Sequence, residues 1–223
     1  VEFPCIEIDS SSYKDSLYVE LTNLNTYDWI LFTSRNTIQV LNEIILENQM
    51  DIDWKKIKVG AVGPETKKML INIFDVEHVF TPKIFNVKSF TDELPIMPEE
   101  KILIPQSKIA DSSIVNNLQE KDILVKKIIA YDLKVGTGGE NVPKMLKENT
   151  VDAVIFTSGS TVTNFVKRTY PEDSKNTPVF CMGETAYNEA LKEGFNFVFK
   201  PDKSTLMDTV NLLRDYFIEA SSE

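Results

Sequence analysis

The chain has 223 residues, 24 basic and 34 acidic side chains, and a formal charge of −10. This acid excess argues against a nucleic-acid binder that neutralises phosphates, and no apolar run approaches the roughly 20 residues of a membrane span. Two cysteines, Cys5 and Cys181, exclude a disulfide scaffold and point to a reducing compartment; the single histidine, His78, gives no basis for a zinc site or a Ser-His-Asp triad.

Residues 2–8 read as a strand, although the chain opens with Val and shows no signal-peptide pattern, so some N-terminal sequence is expected to be missing. Trp29-Ile30-Leu31-Phe32 is a buried strand by its aromatic and β-branched content. A helical stretch follows, with Ile38, Leu41, Ile45 and Leu46 on one side. Residues 58–62 form the next strand, and Pro64 suits the first turn of the helix after it. Strands are expected at 78–80, 101–105 and 123–133, with helices at 89–94 and 112–119 between them. Gly136-Thr137-Gly138-Gly139 lacks the Lys-Ser/Thr of a phosphate loop and reads as a linker. Beyond it, strands at 153–156, 178–182 and 197–199 alternate with helices at 143–148, 161–167, 185–192 and 206–218. Strands separated by helical patterns of this length imply βαβ units, a parallel sheet and helices on both faces.

The chain also repeats itself. Residues 27–41 align with 151–165 at an offset of 124, sharing Phe-Thr-Ser. Residues 58–70 resemble 178–191, and 86–94 resemble 202–210. Three blocks in the same order indicate a duplicated α/β domain, since the offset is far too long for a solenoid repeat.

Each repeat places hydroxyl residues between a strand and a helix: Thr33-Ser34-Arg35-Asn36 and Thr157-Ser158-Gly159-Ser160. In an open parallel sheet, ligands bind at the carboxyl ends of the strands. A helix start offers free N–H groups and a partial positive charge, which suits a carboxylate or phosphate. Helix capping accounts for either cluster alone. Two clusters in register, backed by Gly63-Pro64-Glu65-Thr66 and Gly183-Glu184-Thr185, favour an anion site served by both halves. Other residues read as structural. His78 has no ligand partners at metal spacing, Cys181 and Trp29 are core, and the Glu99-Glu100 pair is a solvated face. No nucleophile–base set is recognisable.

The order Phe32-Thr33-Ser34-x-Asn36, Val62-Gly63-x-x-Thr66, Leu103-Ile104-Pro105, Ala130-Tyr131, Phe156-Thr157-Ser158-x-Ser160 and Gly183-x-Thr185-Ala186 resembles the uroporphyrinogen-III synthase family over nearly the whole chain. The resemblance implies two similar α/β domains, each a parallel sheet flanked by helices, joined by a two-stranded linker with one domain inserted in the other. The inserted domain would be residues 8–132; residues 1–7 and 133–223 would supply the linker and the second domain. The family's usual opening strand and helix have no counterpart here.

The implied activity is that of a cytoplasmic, monomeric lyase of heme biosynthesis. It closes hydroxymethylbilane, a linear polycarboxylate tetrapyrrole, to uroporphyrinogen III with inversion of ring D and loss of water. No cofactor, metal, nucleic acid or membrane is implied; the partner the resemblance suggests is the preceding pathway enzyme. Steering a reactive substrate is mainly a proximity effect. By the same resemblance, Thr33, Ser34, Arg35, Asn36, Thr66, Ser107, Ser158, Ser160 and Thr185 line the substrate, and Tyr131 assists departure of the hydroxyl. A phenol with a pKa of about 10 can donate at neutral pH. Ser107 and Asp111 replace a glycine and an arginine common in the family, and Gly159 replaces a proline. Arg35, Lys108 and Lys203 are expected to supply local positive charge for the polyanion. The competing reading is a non-catalytic two-domain protein that binds a small anion.

Overall fold

The computed structural model describes residues 1–220. The chain divides into two compact units, Val1–Glu7 with Lys134–Glu223, and Ile8–Leu133. Both divisions fall inside strands, β1 (Ile6–Asp9) and β6 (Leu124–Val135), which lie side by side.

The Ile8–Leu133 unit is built on β2 (Trp29–Phe32), β3 (Lys58–Ala61), β4 (Val79–Phe80) and β5 (Lys101–Ser107), in the sheet order β1-β6-β5-β2-β3-β4. The pairs β2–β3, β2–β5, β3–β4 and β5–β6 are all parallel. Strand alternation sorts the core into two layers. Ile30 and Phe32 pack with residues of α1 (Lys14–Thr22), α2 (Arg35–Glu47) and α3 (Pro64–Phe74). Trp29 and Leu31 pack with α4 (Val87–Glu93) and α5 (Ser113–Gln119) on the other face.

The α2 periodicity needs one correction. Ile38, Leu41 and Ile44 are sealed in the core, whereas Leu46 is 67% exposed, because the buried stripe runs through Ile44 rather than Leu46. Helix α1 has no counterpart among the predicted elements, because only Leu17 and Leu21 are buried while Tyr18 and Val19 face outward.

The second unit carries α6 (Val142–Lys147) and a parallel three-stranded sheet, β7 (Val154–Phe156), β8 (Val179–Cys181) and β9 (Val198–Phe199). Helices α7 (Gly159–Arg168) and α9 (Glu184–Lys192) pack tightly through Val162, Phe165, Ala186 and Ala190. Cys181 is fully buried in this layer, and burial pushes its thiol up to about 12. The short α8 (Pro171–Ser174) lies outside the predicted elements; α10 (Leu206–Ala220) brings Tyr216 against Phe180 and Phe199.

Residues 136–139 are more than a linker. The Gly136 N–H donates to Cys5 O at 3.1 Å, and a Cβ there would lie 2.3 Å from Pro4 O. Arg168 lies 4.1 Å over the Phe3 ring and donates to the carbonyls of Pro4 and Gly138, tying both connecting segments to α7.

Glu100 also departs from its expected role as part of a solvated face. Its carboxylate accepts Trp29 Nε1–H at 3.0 Å, the Met97 N–H at 2.8 Å, and Lys58 Nζ. It therefore links residues at the amino ends of β2 and β3 just ahead of β5. Burial alone would raise its pKa, but Lys58 and the Met97 and Trp29 donors together hold it below the ordinary 4.5. With the folded value depressed, this stabilisation is present above the unfolded pKa and is lost as pH falls through the folded one. Chemical denaturation from pH 6 to pH 3 should show wild-type stability dropping below about pH 4.5, with a shallower drop in Glu100→Gln.

Candidate functional site

The carboxyl ends of β2, β3 and β5 and the starts of α2 and α3 form one edge of the Ile8–Leu133 unit. Strand β2 ends at Phe32, and Thr33 and Ser34 turn the chain into α2. Ser34 is the N-cap, with φ −148° and ψ 144°, and its Oγ accepts the Asn36 N–H at 3.2 Å. Helix α3 starts alongside, because β3 pairs with β2 up to Phe32 and Ala61, and the Val62 N–H donates to Phe32 O. Gly63 caps α3, Pro64 fills its first position, and Thr66 is buried at 7% exposure.

Tyr131 reaches this edge through a β-bulge. Gln106 pairs with Ile129, but Ser107 pairs with Tyr131, leaving Ala130 as an extra residue. Strict alternation would put Tyr131 on the face opposite Ile128 and Ala130. The bulge instead lets all three join the same core cluster. Tyr131 is 4% exposed, and its hydroxyl donates to Ser34 Oγ at 3.4 Å. Ser107, Ser34 and Tyr131 are thus brought together, with Asn36 and Arg35 on the adjoining helix turn.

The charge expectation changes in one respect. Lys108 does not stand free: its Nζ pairs with Asp132 at 2.8 Å, and its N–H donates to Tyr131 O at 2.8 Å. The Lys108 hydrogen bond holds the Asp132 carboxyl below its ordinary value, and Asp132 raises Lys108 in return. Arg35 and Lys203 are exposed. Asp111 is likewise committed locally, to the Ser113 N–H at the start of α5, which lowers its pKa.

In the other unit, Ser158 caps α7 with a complete capping box. Ser158 Oγ accepts the Thr161 N–H at 3.3 Å, and Thr161 Oγ1 accepts the Ser158 N–H at 3.2 Å. Ser160 Oγ lies 3.1 Å from Ser158 Oγ. Thr185, in the first turn of α9, is exposed. A Cβ at Gly159 would lie 3.1 Å from Thr185 O, so Gly159 is where α9 presses on the start of α7. A cavity of about 800 Å³ beside β7 touches Thr157 and Thr161, but its walls are largely apolar, with Phe3, Phe156 and Phe165 among them. It suits hydrocarbon better than carboxylates. Among the described residues no His, Cys, Asp and Glu group could hold a metal, and His78 is exposed.

The family model for "Uroporphyrinogen-III synthase HemD" matches residues 1–211. The chain belongs to the uroporphyrinogen-III synthase HemD family. It is 28% identical over 219 residues to "Porphyrin biosynthesis protein HemD" of Ruminiclostridium josui, covering 96% of this chain and 43% of that protein. The chain thus spans less than half the length of that relative. Uroporphyrinogen-III synthetase from Helicobacter pylori shares the fold with a TM-score of 0.64 at 19% identity, over 86% of this chain and 84% of that one. The wild-type synthase of Thermus thermophilus gives a TM-score of 0.54 at 17% identity, over 96% and 86%.

Sequence reasoning missed Arg168, Glu100 and Thr37. Thr37 was the most accessible of these, since the internal repeat aligns it with Thr161. No helix among the described residues is long and apolar enough to cross a membrane. Ser158→Ala should lower stability by about 1 kcal/mol, measured by chemical denaturation, because it dismantles a closed capping box.

Proposed function

We propose that this member of the family is itself a uroporphyrinogen-III synthase. It converts hydroxymethylbilane to uroporphyrinogen III with inversion of ring D and loss of water, as a cytoplasmic, cyclising hydro-lyase. The observation that carries the reading is the Tyr131–Ser34 pair, set by a bulge at the carboxyl ends of the sheet, where α/β folds bind ligands. Tyr131 donates to the departing hydroxyl of the substrate. Thr33, Ser34, Arg35, Asn36, Thr66 and Ser107 receive substrate carboxylates in one unit, and Ser158, Ser160 and Thr185 do so in the other. Backbone N–H groups at the helix starts add donors already oriented by the fold.

The two compact units serve as the two domains, Ile8–Leu133 being the inserted one, with β1 and β6 as the connectors. The cyclisation moves no electrons to or from an external acceptor. The C–O bond breaks and water leaves, and the substituted ring-D carbon bonds the freed methylene to give a spiro intermediate. The older C–C bond at that carbon then breaks and re-forms at the unsubstituted ring-D carbon, and the proton lost there balances the one taken up by the departing hydroxyl. Binding donors and one proton donor therefore suffice for the chemistry. The substrate closes without inversion when left to itself, so the task of the protein is geometric.

Supplying hydroxymethylbilane and resolving the product isomers tests the assignment. The type III isomer is expected in excess; the type I isomer alone would leave only an anion-binding protein. Tyr131→Phe should lower kcat by about 100-fold with little change in melting temperature, because its hydroxyl makes one long hydrogen bond. Unchanged turnover would remove Tyr131 from the chemistry.

A further inference from the structure

The duplication supplies an internal control for the start of α2. At the offset of 124 residues, Ser34 and Thr37 stand where Ser158 and Thr161 stand in α7. Both helices therefore carry the Ser-x-x-Thr of a capping box. In α7 the box is closed, with both side chains bonded to each other's backbone N–H groups. In α2 it is open. Ser34 Oγ takes the Asn36 N–H instead and receives the Tyr131 hydroxyl. Thr37 is 0% exposed, and its Oγ1 has no hydrogen-bond partner.

A sealed hydroxyl without a partner is costly, and the great majority of buried polar side-chain atoms are satisfied. Packing does not explain it, since a valine would fill the same space. A second arrangement does, one in which the hydroxyl is used. We propose that Thr37 is a positioning residue for Tyr131, acting through a capping box that opens and closes.

In the closed form, as in α7, Ser34 Oγ turns to the Thr37 N–H and Thr37 Oγ1 accepts the Ser34 N–H. Ser34 then leaves Tyr131, whose hydroxyl is free to donate to substrate. A carboxylate supplies the drive. It takes the Asn36 N–H only when Ser34 Oγ vacates it, so it binds the closed form better and shifts the balance toward it. The open form keeps the tyrosine hydroxyl occupied until substrate arrives. This inference rests on the reading of Tyr131 as the proton donor.

The test compares Thr37→Val, Thr37→Ser and Thr161→Val, with Thr37→Val also built on Tyr131→Phe. Thr161→Val breaks a closed box and should lower the melting temperature. Thr37→Val removes an unpartnered hydroxyl and should leave the melting temperature unchanged or raised. With hydroxymethylbilane, Thr37→Val should lower kcat on the order of tenfold, with a smaller change in KM, and Thr37→Ser should restore it. On Tyr131→Phe the same substitution should have no further effect. A melting loss in Thr37→Val equal to that of Thr161→Val, an unaltered kcat, or a kcat loss that persists without the Tyr131 hydroxyl would each overturn the proposal. If the wild-type chain yields only the type I isomer, the synthase reading fails, and the open box stands or falls on the melting comparison alone.

Discussion

One extra residue in a strand governs the site. Where β5 runs beside β6, the pairing slips at Ala130, and Tyr131 joins the face that carries α2. Without the slip, the ring would lie on the α5 face, away from Ser34. The backbone pays with a disrupted ladder, and the gain is a hydroxyl placed beside a helix start. The same segment engages Lys108 through both its backbone and the Asp132 side chain, which steadies the strand around the tyrosine.

The hydroxyls at the two helix starts have diverged in use. Ser158 and Thr161 close a reciprocal capping box, with Ser160 Oγ beside Ser158 Oγ. Ser34 divides its oxygen between a backbone donor and Tyr131, and Thr37 is left over. Capping therefore does not exclude the ligand-binding role proposed for this motif. Uncharged donors also fit a protein of charge −10 that is proposed to hold a polyacid. Hydroxyls and amides fixed by the fold stabilise anionic groups without the solvation cost of burying lysines.

Much of the fold was legible because its signals are local. Trp29–Phe32 reads as a strand from its run of large apolar residues, and Pro64 and the Thr-Ser pairs mark helix starts. Helix α1 was hidden because two buried leucines make a weak stripe. Leu46 misled because adjacent apolar residues at 44–46 leave the phase of the helix ambiguous. Glu100 was misread for a different reason: its partners Trp29 and Lys58 are distant in sequence, and only the sheet assembles them. The hydroxyl clusters were visible as residue types. Their bonding was not, since the open and closed boxes share one Ser-x-x-Thr pattern and differ in the partners that Ser34 and Ser158 take.

In the proposed site the Tyr131 hydroxyl, aimed at the start of α2, meets the tetrapyrrole. Ring-labelled tyrosine NMR tests it most directly, with the Tyr131 signal assigned by its loss in Tyr131→Phe. Titration with uroporphyrinogen III should shift that signal, and Ser34→Ala should shift it before any ligand is added. A Tyr131 signal that stays fixed in both experiments, while the ligand binds and moves other tyrosines, would contradict the account.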